Sequence, residues 1–399
     1  MSRIRTTHVG SLPRTDALLA ANERRHAGDI TDREFADILT ASVDEVVARQ
    51  IETGLDIVNE GEYGHITSGK VDYGAWWNYS FTRLGGLELT DVDRWQEDND
   101  VRSEPGKIRL TSFRHRRDWT RFRDAYTDPT SGILTHRARV KNPKIVGPLT
   151  YRGQEAVKKD IELLVHGLEA AGKTPRDGFV AALSPGSCAR IPNEYYDSDE
   201  AVVWACADAL KEEYKAITDA GLTVQIDDPS VAEAWDQIQP EPSVDDYRDF
   251  IEVRIAALNH ALEGIPREQV RFHVCWGSWH GPHTTDIPLA DIIDKVLTVK
   301  AQAFTFEAAN VRHAHEWKVW HEVDLPDDIV LIPGMVSHST NVVEHPELIA
   351  ERLSRFTELV GPDRVIASTD CGLGGRVHRD IAWAKLEALV EGAALASRV

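Results

Sequence analysis

The residues best equipped for chemistry in this 399-residue chain are one histidine, two cysteines and a glutamate, each at the end of an apolar run. In Val270-Arg271-Phe272-His273-Val274-Cys275 the apolar residues alternate with the others, and a period of two is the signature of a strand whose alternate side chains share a face. His273 and Cys275 therefore point the same way. A soft thiolate beside an imidazole makes half of a tetrahedral zinc site. Downstream, the run from Ala301 to Phe306 ends in Glu307, and Arg364 to Ser368 leads into Thr369-Asp370-Cys371 and the turn Gly372-Leu373-Gly374-Gly375. We read His273, Cys275, Glu307 and Cys371 as one zinc site. Cys206, inside an apolar helical stretch, and Cys188, after Pro185-Gly186-Ser187, are read as structural. His280, His283, His313 and His315 have no partner cysteine at a strand end and are read as loop residues.

The elements that must position these side chains alternate strand with helix. Thr6 to Val9 is a short strand broken at Gly10 and Pro13, and its Gly10-Ser11 turn offers backbone N–H groups to an anion. Helical spacing from Asp32 to Thr53 stops at Gly54 and gives way to Leu55-Asp56-Ile57-Val58-Asn59, which ends in Glu60-Gly61-Glu62. Further strands are expected at 145–148, 179–183, 222–226, 270–275, 301–306, 329–332 and 365–367. Helices are expected at about 154–171, 200–220 and 244–263. Alternation of this kind implies a parallel sheet with its polar residues at the strand C-terminal ends, where (β/α)8 barrels carry their active sites. We expect one α/β domain over 1–399, a single TIM barrel. The candidate strands number one more than a barrel's eight places, so one is peripheral. Residues 63–140, rich in aromatics (Tyr73, Trp76, Trp77, Tyr79, Phe81) and then in arginines, read as a lid-like insertion after the second strand. Arg114, Arg116, Arg117, Arg121 and Arg123 read as a solvated helix face.

A net charge of -20 argues against nucleic acid or an anionic membrane as the main partner. Four cysteines without disulfide-like spacing, an N-terminus without the apolar core of a signal peptide and the lack of a long apolar run point to the cytoplasm.

In order along the chain, His8-Val9-Gly10-Ser11, Gly61-Glu62, Gly147-Pro148-Leu149-Thr150, Gln225-Ile226-Asp227-Asp228-Pro229, His273-Val274-Cys275, Glu307, His338-Ser339-Thr340-Asn341 and Asp370-Cys371-Gly372-Leu373 resemble the catalytic barrel of cobalamin-independent methionine synthase. The likeness is to the single-barrel relatives of that enzyme, a group that includes the epoxyalkane:coenzyme M transferases. The resemblance implies zinc (Zn2+) at His273, Cys275, Glu307 and Cys371. It implies a homocysteine carboxylate at Gly10 and Ser11, an ammonium at Glu62 and Asp227, and His338 as proton donor to the leaving group. Where the family places a tryptophan against the pterin, this chain has Tyr151-Arg152-Gly153, and Tyr151 is the substrate-binding candidate there. The turn from Trp276 to His283 departs from the synthase pattern. The expected partners are a small thiol, an alkyl donor such as a methyltetrahydrofolate, and as a further candidate a second copy of the chain. Transfer to coenzyme M, including epoxide opening, and a zinc-held thiol binder without turnover are the alternatives.

Overall fold

The computed structural model describes residues 3–65, 75–93, 97–133 and 141–398. Its strands are β1 (Arg5–Thr6), β2 (Leu84–Asp93), β3 (Lys141–Tyr151), β4 (Phe179–Leu183), β5 (Thr223–Asp228), β6 (Val270–Val274), β7 (Ala303–Phe306), β8 (Val330–Val336) and β9 (Ile366–Thr369). Seven of them form one parallel sheet in the order β1-β9-β8-β7-β6-β5-β4. The expected second strand is reduced to a few backbone bonds that link the sheet's two outer strands. Asp56 and Ile57 donate N–H to Thr6 O at 3.1 Å each, Val58 donates to Asp177 O at 3.0 Å, and Phe179 donates back to Val58 O at 3.0 Å.

One expected strand lies elsewhere. Ile145 to Pro148 belongs to β3, which pairs antiparallel with β2 as a separate two-stranded ribbon. An apolar run of four residues cannot tell a core strand from a ribbon, because both bury one face. Of the 63–140 segment, 66–74, 94–96 and 134–140 fall outside the described residues, Tyr73 among them.

Local signals set the helices that carry the sheet. The helix Asp32–Thr53 starts with a reciprocal cap between Thr31 and Glu34 and stops at Gly54, whose φ of 102° a side chain would resist. The inside of the sheet is partly polar. Arg271 on β6 donates to Gln225 Oε1 (2.7 Å), Thr7 Oγ1 (3.1 Å) and His8 O (2.5 Å), and its flat face lies 3.6 Å from the Phe179 ring centre. A buried guanidinium is tolerable when its donors are taken up, and these bonds tie the two residues after β1 to β5 and β6 beneath the site. Among the described residues no helix is long and apolar enough to cross a membrane.

Candidate functional site

The strand C-terminal ends converge on one cavity, lined in part by Ser11, Glu62, Asp227, His273, Cys275 and Cys371. The pairing of β5 with β6 sets Asp227 on β5 directly opposite His273 on β6, and His273 Nδ1 lies 3.0 Å from Asp227 Oδ1. With Nδ1–H donating to that carboxylate, Nε2 is left, buried and without a hydrogen-bond partner. A ring nitrogen of His273 and the sulfurs of Cys275 and Cys371 lie within 4.8 Å of one another. The two thiols are hydrogen-bonded to each other, which lowers Cys371 to about 6 and raises Cys275 well above the usual thiol value. The Gly277 N–H also donates to the Cys275 sulfur at 3.3 Å. An imidazole nitrogen left over in the protein interior beside a thiol that ionises readily is the donor set that a soft divalent ion requires.

Glu307 lies next to this trio and is turned into a second cluster. Its carboxylate groups with His338 and Asp370 within 4.8 Å. Trp276 N–H donates to Glu307 Oε1 at 3.1 Å and Asn310 Nδ2 to Oε2 at 2.6 Å. Burial pushes the Glu307 carboxyl up to about 8. Asp370 accepts the N–H groups of Ala308 (2.8 Å), Ala309 (2.9 Å) and Asn310 (2.8 Å), so the residue before Cys371 braces the turn that carries Glu307. His338, two residues beyond β8, is buried with Nδ1 unpartnered. Burial, and then the neighbouring Arg376, His280, His283 and His273, push it well below the ordinary histidine value.

Glu62 holds a φ of 57°, uncommon for a residue with a side chain. Its carboxyl is pushed well up, by burial first and then by Asp227 and Glu60. The repulsion between Glu62 and Asp227, which Arg14 offsets only in part, favours a further cation at the pair. Gly10 makes room for Glu62: with φ at 143°, a Cβ there would stand 2.1 Å from Glu62 Oε1. Gly10→Ala should therefore cost about 1–3 kcal/mol of stability through strain at this contact. Urea unfolding measures it, and an unchanged midpoint would mean that Glu62 has free space to retreat into.

Two expectations need correction. The Gly10 N–H is not open to an anion, because it donates to His8 Nδ1 at 3.2 Å while His8 Nε2 pairs with Gln50 Oε1 at 2.7 Å. Ser11 alone of that turn lines the cavity. Tyr151 is not at this cavity at all. Its hydroxyl donates to Glu213 Oε2 at 2.5 Å, and it lines a different hollow with Gln154 and Val157. The reason is the β2–β3 pairing, which carries Tyr151 on the ribbon and not on the parallel sheet.

Sequence reasoning also missed the outer wall. Arg116, expected in solvent, is fully buried. It donates to Glu233 Oε1 at 2.5 Å and stacks on Phe113 and Trp279, at 3.8 and 4.2 Å from the ring centres. Phe113, Trp279 and Glu233 all line the cavity. Asp118 fixes the same segment by accepting from Tyr126 OH (2.7 Å), Thr284 N–H (3.0 Å) and His283 N–H (3.3 Å). His313 is no loose loop residue. It is buried between Asp286 Oδ2 (3.0 Å) and Glu316 Oε2 (2.8 Å), while His315 is exposed. For His313 the signal was Glu316, three residues on, whereas the partner that lets Arg116 be buried, Glu233, lies 117 residues away and gave no local signal. Cys188 and Cys206 are both buried and hydrogen-bonded to one another, away from the cavity.

The sequence profile of the cobalamin-independent synthase catalytic domain matches residues 4–73 and 131–395. The chain belongs to that family. A methionine synthase of Thermococcus kodakarensis is 28% identical over 212 residues, 52% of this chain and 53% of that protein. A 2-hydroxypropyl-CoM lyase of Xanthobacter autotrophicus is 25% identical over 228 residues, 50% of this chain and 55% of the lyase. These alignments thus span about half of each relative. A solved B12-independent methionine synthase from Shewanella sp. W3-18-1, in complex with selenomethionine, superimposes with a TM-score of 0.68 at 18% identity, covering 100% of this chain and 98% of that one. At that identity it shows that this family member shares the fold.

Proposed function

We propose that the protein is a zinc-dependent methyltransferase that moves a methyl group from a methylated amine donor, of the methyltetrahydrofolate kind, to homocysteine. We read the seven-stranded sheet and the linking segment 55–59 as one (β/α)8 barrel domain, and 63–140 as an insertion on its mouth. The profile match, which skips 74–130, supports that division. The observation that carries the function is the unpartnered His273 Nε2 beside two mutually bonded thiols, with Asp227 fixing the ring from behind.

His273 Nε2, Cys275, Cys371 and Glu307 would hold the ion. Zinc supplies ionisation of the acceptor thiol, which free in water has a pKa of roughly 8.5 and is mostly protonated at neutral pH. Glu62 and Asp227 take the ammonium, which offsets the repulsion between two buried carboxylates, and the Ser11 backbone takes the carboxylate. The acceptor sulfur forms the new S–C bond as the donor's C–N bond breaks, with the electron pair going to nitrogen. That nitrogen leaves only if it is protonated, and His338 is the donor of the proton. Burial first, and then the neighbouring Arg376, keep His338 neutral beforehand, and the negative charge that arrives with the acceptor thiolate favours its protonation.

Titration calorimetry of the zinc-loaded protein with homocysteine and with coenzyme M is the test. Homocysteine should bind far more tightly, and Asp227→Asn should narrow the difference by roughly 1.5–3 kcal/mol, the worth of a hydrogen bond to a charged group. Coenzyme M binding equally well or better would overturn the reading. It would promote the second one, alkyl transfer to coenzyme M, which the lyase relative and the Arg376 guanidinium on the cavity wall favour.

A further inference from the structure

We propose that Asn310 is a positioning residue that receives Glu307 when the carboxylate yields its place among the metal ligands, and so sets how readily the thiol enters. The inference rests on the metal reading above. It starts from the fact that both Glu307 oxygens are already satisfied by protein donors, the Trp276 N–H and Asn310 Nδ2. A carboxylate leaving a divalent ion inside a protein would otherwise become an unpaired buried charge, which is strongly disfavoured. Here it passes between two satisfied states.

The receiving place is rigid. Asn310 Oδ1 accepts the N–H groups of Arg312 and His313 at 3.0 Å each, and its own N–H and Nδ2 reach Asp370 Oδ2 at 2.8 and 3.2 Å. Side chain and backbone are thus held from both directions, with Nδ2 aimed at Glu307. Behind it the Trp276 ring packs on His313, centres 4.2 Å apart. Burial would lower His313, but Asp286 and Glu316 outweigh it and raise the imidazole to about 10. The withdrawn carboxylate therefore faces two hydrogen-bond donors and a nearby cation. Because Asp370 adjoins Cys371, the same carboxylate fixes the receiver and one sulfur in register.

The test uses the protein loaded with cobalt(II), whose sulfur-to-metal charge-transfer absorption reports entry of homocysteine. Asn310→Asp keeps the Oδ1 acceptor and replaces the Nδ2 donor by an oxygen facing Glu307. Asn310→Ala removes both. The homocysteine concentration for half-saturation should rise about tenfold or more in each, as expected for losing a hydrogen bond to a charged group. Retention of cobalt against a chelator without thiol should stay equal to wild type or improve. Half-saturation unchanged in Asn310→Asp overturns the proposal, as does loss of cobalt from it without thiol, since Asn310 would then only brace the ligands. If Asn310→Ala fails to fold, Asn310→Asp decides alone. A wild-type protein that takes up neither cobalt nor homocysteine refutes the proposed function itself, whereas wild-type binding with unaffected variants refutes only the part given to Asn310.

Discussion

Purified without chelator, Cys371→Ser protein should carry little zinc where wild type should carry about one ion per chain, and Cys275→Ser should behave alike. Serine is the right size for either place but offers a hard hydroxyl in place of a soft thiolate, and an oxygen does not restore the interaction. The loss should exceed the roughly 10- to 100-fold in affinity that follows removal of an outer partner such as a carboxylate behind a histidine. Elemental analysis of the purified proteins is sufficient. The hydrogen bond between the two thiols sharpens the contrast with Cys188 and Cys206, a similar buried pair that belongs to no cluster of three or more metal-ligating side chains among the described residues. Cys206→Ser should keep its zinc. Wild-type protein free of zinc would remove the basis of the whole reading.

His338→Ala should retain zinc and homocysteine and slow turnover by roughly two to four orders of magnitude, the usual range for loss of a general acid. The variant removes an imidazole whose Nδ1 makes no hydrogen bond, so little of the surrounding structure depends on it. Single-turnover measurement with the donor prebound separates this from a binding defect. If His338→Ala instead loses the metal, His338 belongs to the ligand set, and the Glu307, His338 and Asp370 cluster has to be read as a metal position in its own right.

The strand positions of His273 and Cys275 were legible because alternation fixes which residues share a face, whatever lies across the sheet. The position of Cys371 was legible for the same reason, an apolar run ending in a glycine-rich turn. Glu307 was expected among the ligands, and the structure groups its carboxylate with His338 and Asp370, with hydrogen-bond partners that were not foreseeable. Asn310 sits three residues on in Glu307-Ala308-Ala309-Asn310, and only the turn imposed by Asp370, sixty residues later in the chain, brings its amide onto the carboxylate. Gly10 and Tyr151 were misjudged for related reasons. Whether a backbone N–H is open depends on which side chain reaches it, here His8, and whether a strand joins the main sheet depends on what it pairs with, here β2. Arg116 shows a further limit. Charge density along the chain suggests solvent, but Glu233 and Asp236 come from a distant stretch and make burial tolerable.

The cavity is built by two parts of the chain with different standing in the family. Its inner side comes from strand ends within the matched residues, while Phe113 and the buried Arg116 behind it come from the stretch between 74 and 130 that the family profile passes over. The strand-end side, to which we assign the thiol, and the wall that carries Phe113 can therefore change separately over evolutionary time. Exchanging the 113–133 segment between relatives would alter which donors fit, with His273, Cys275 and Cys371 left where they are. A family that includes both methionine synthases and a coenzyme M lyase is what such a division of labour would produce.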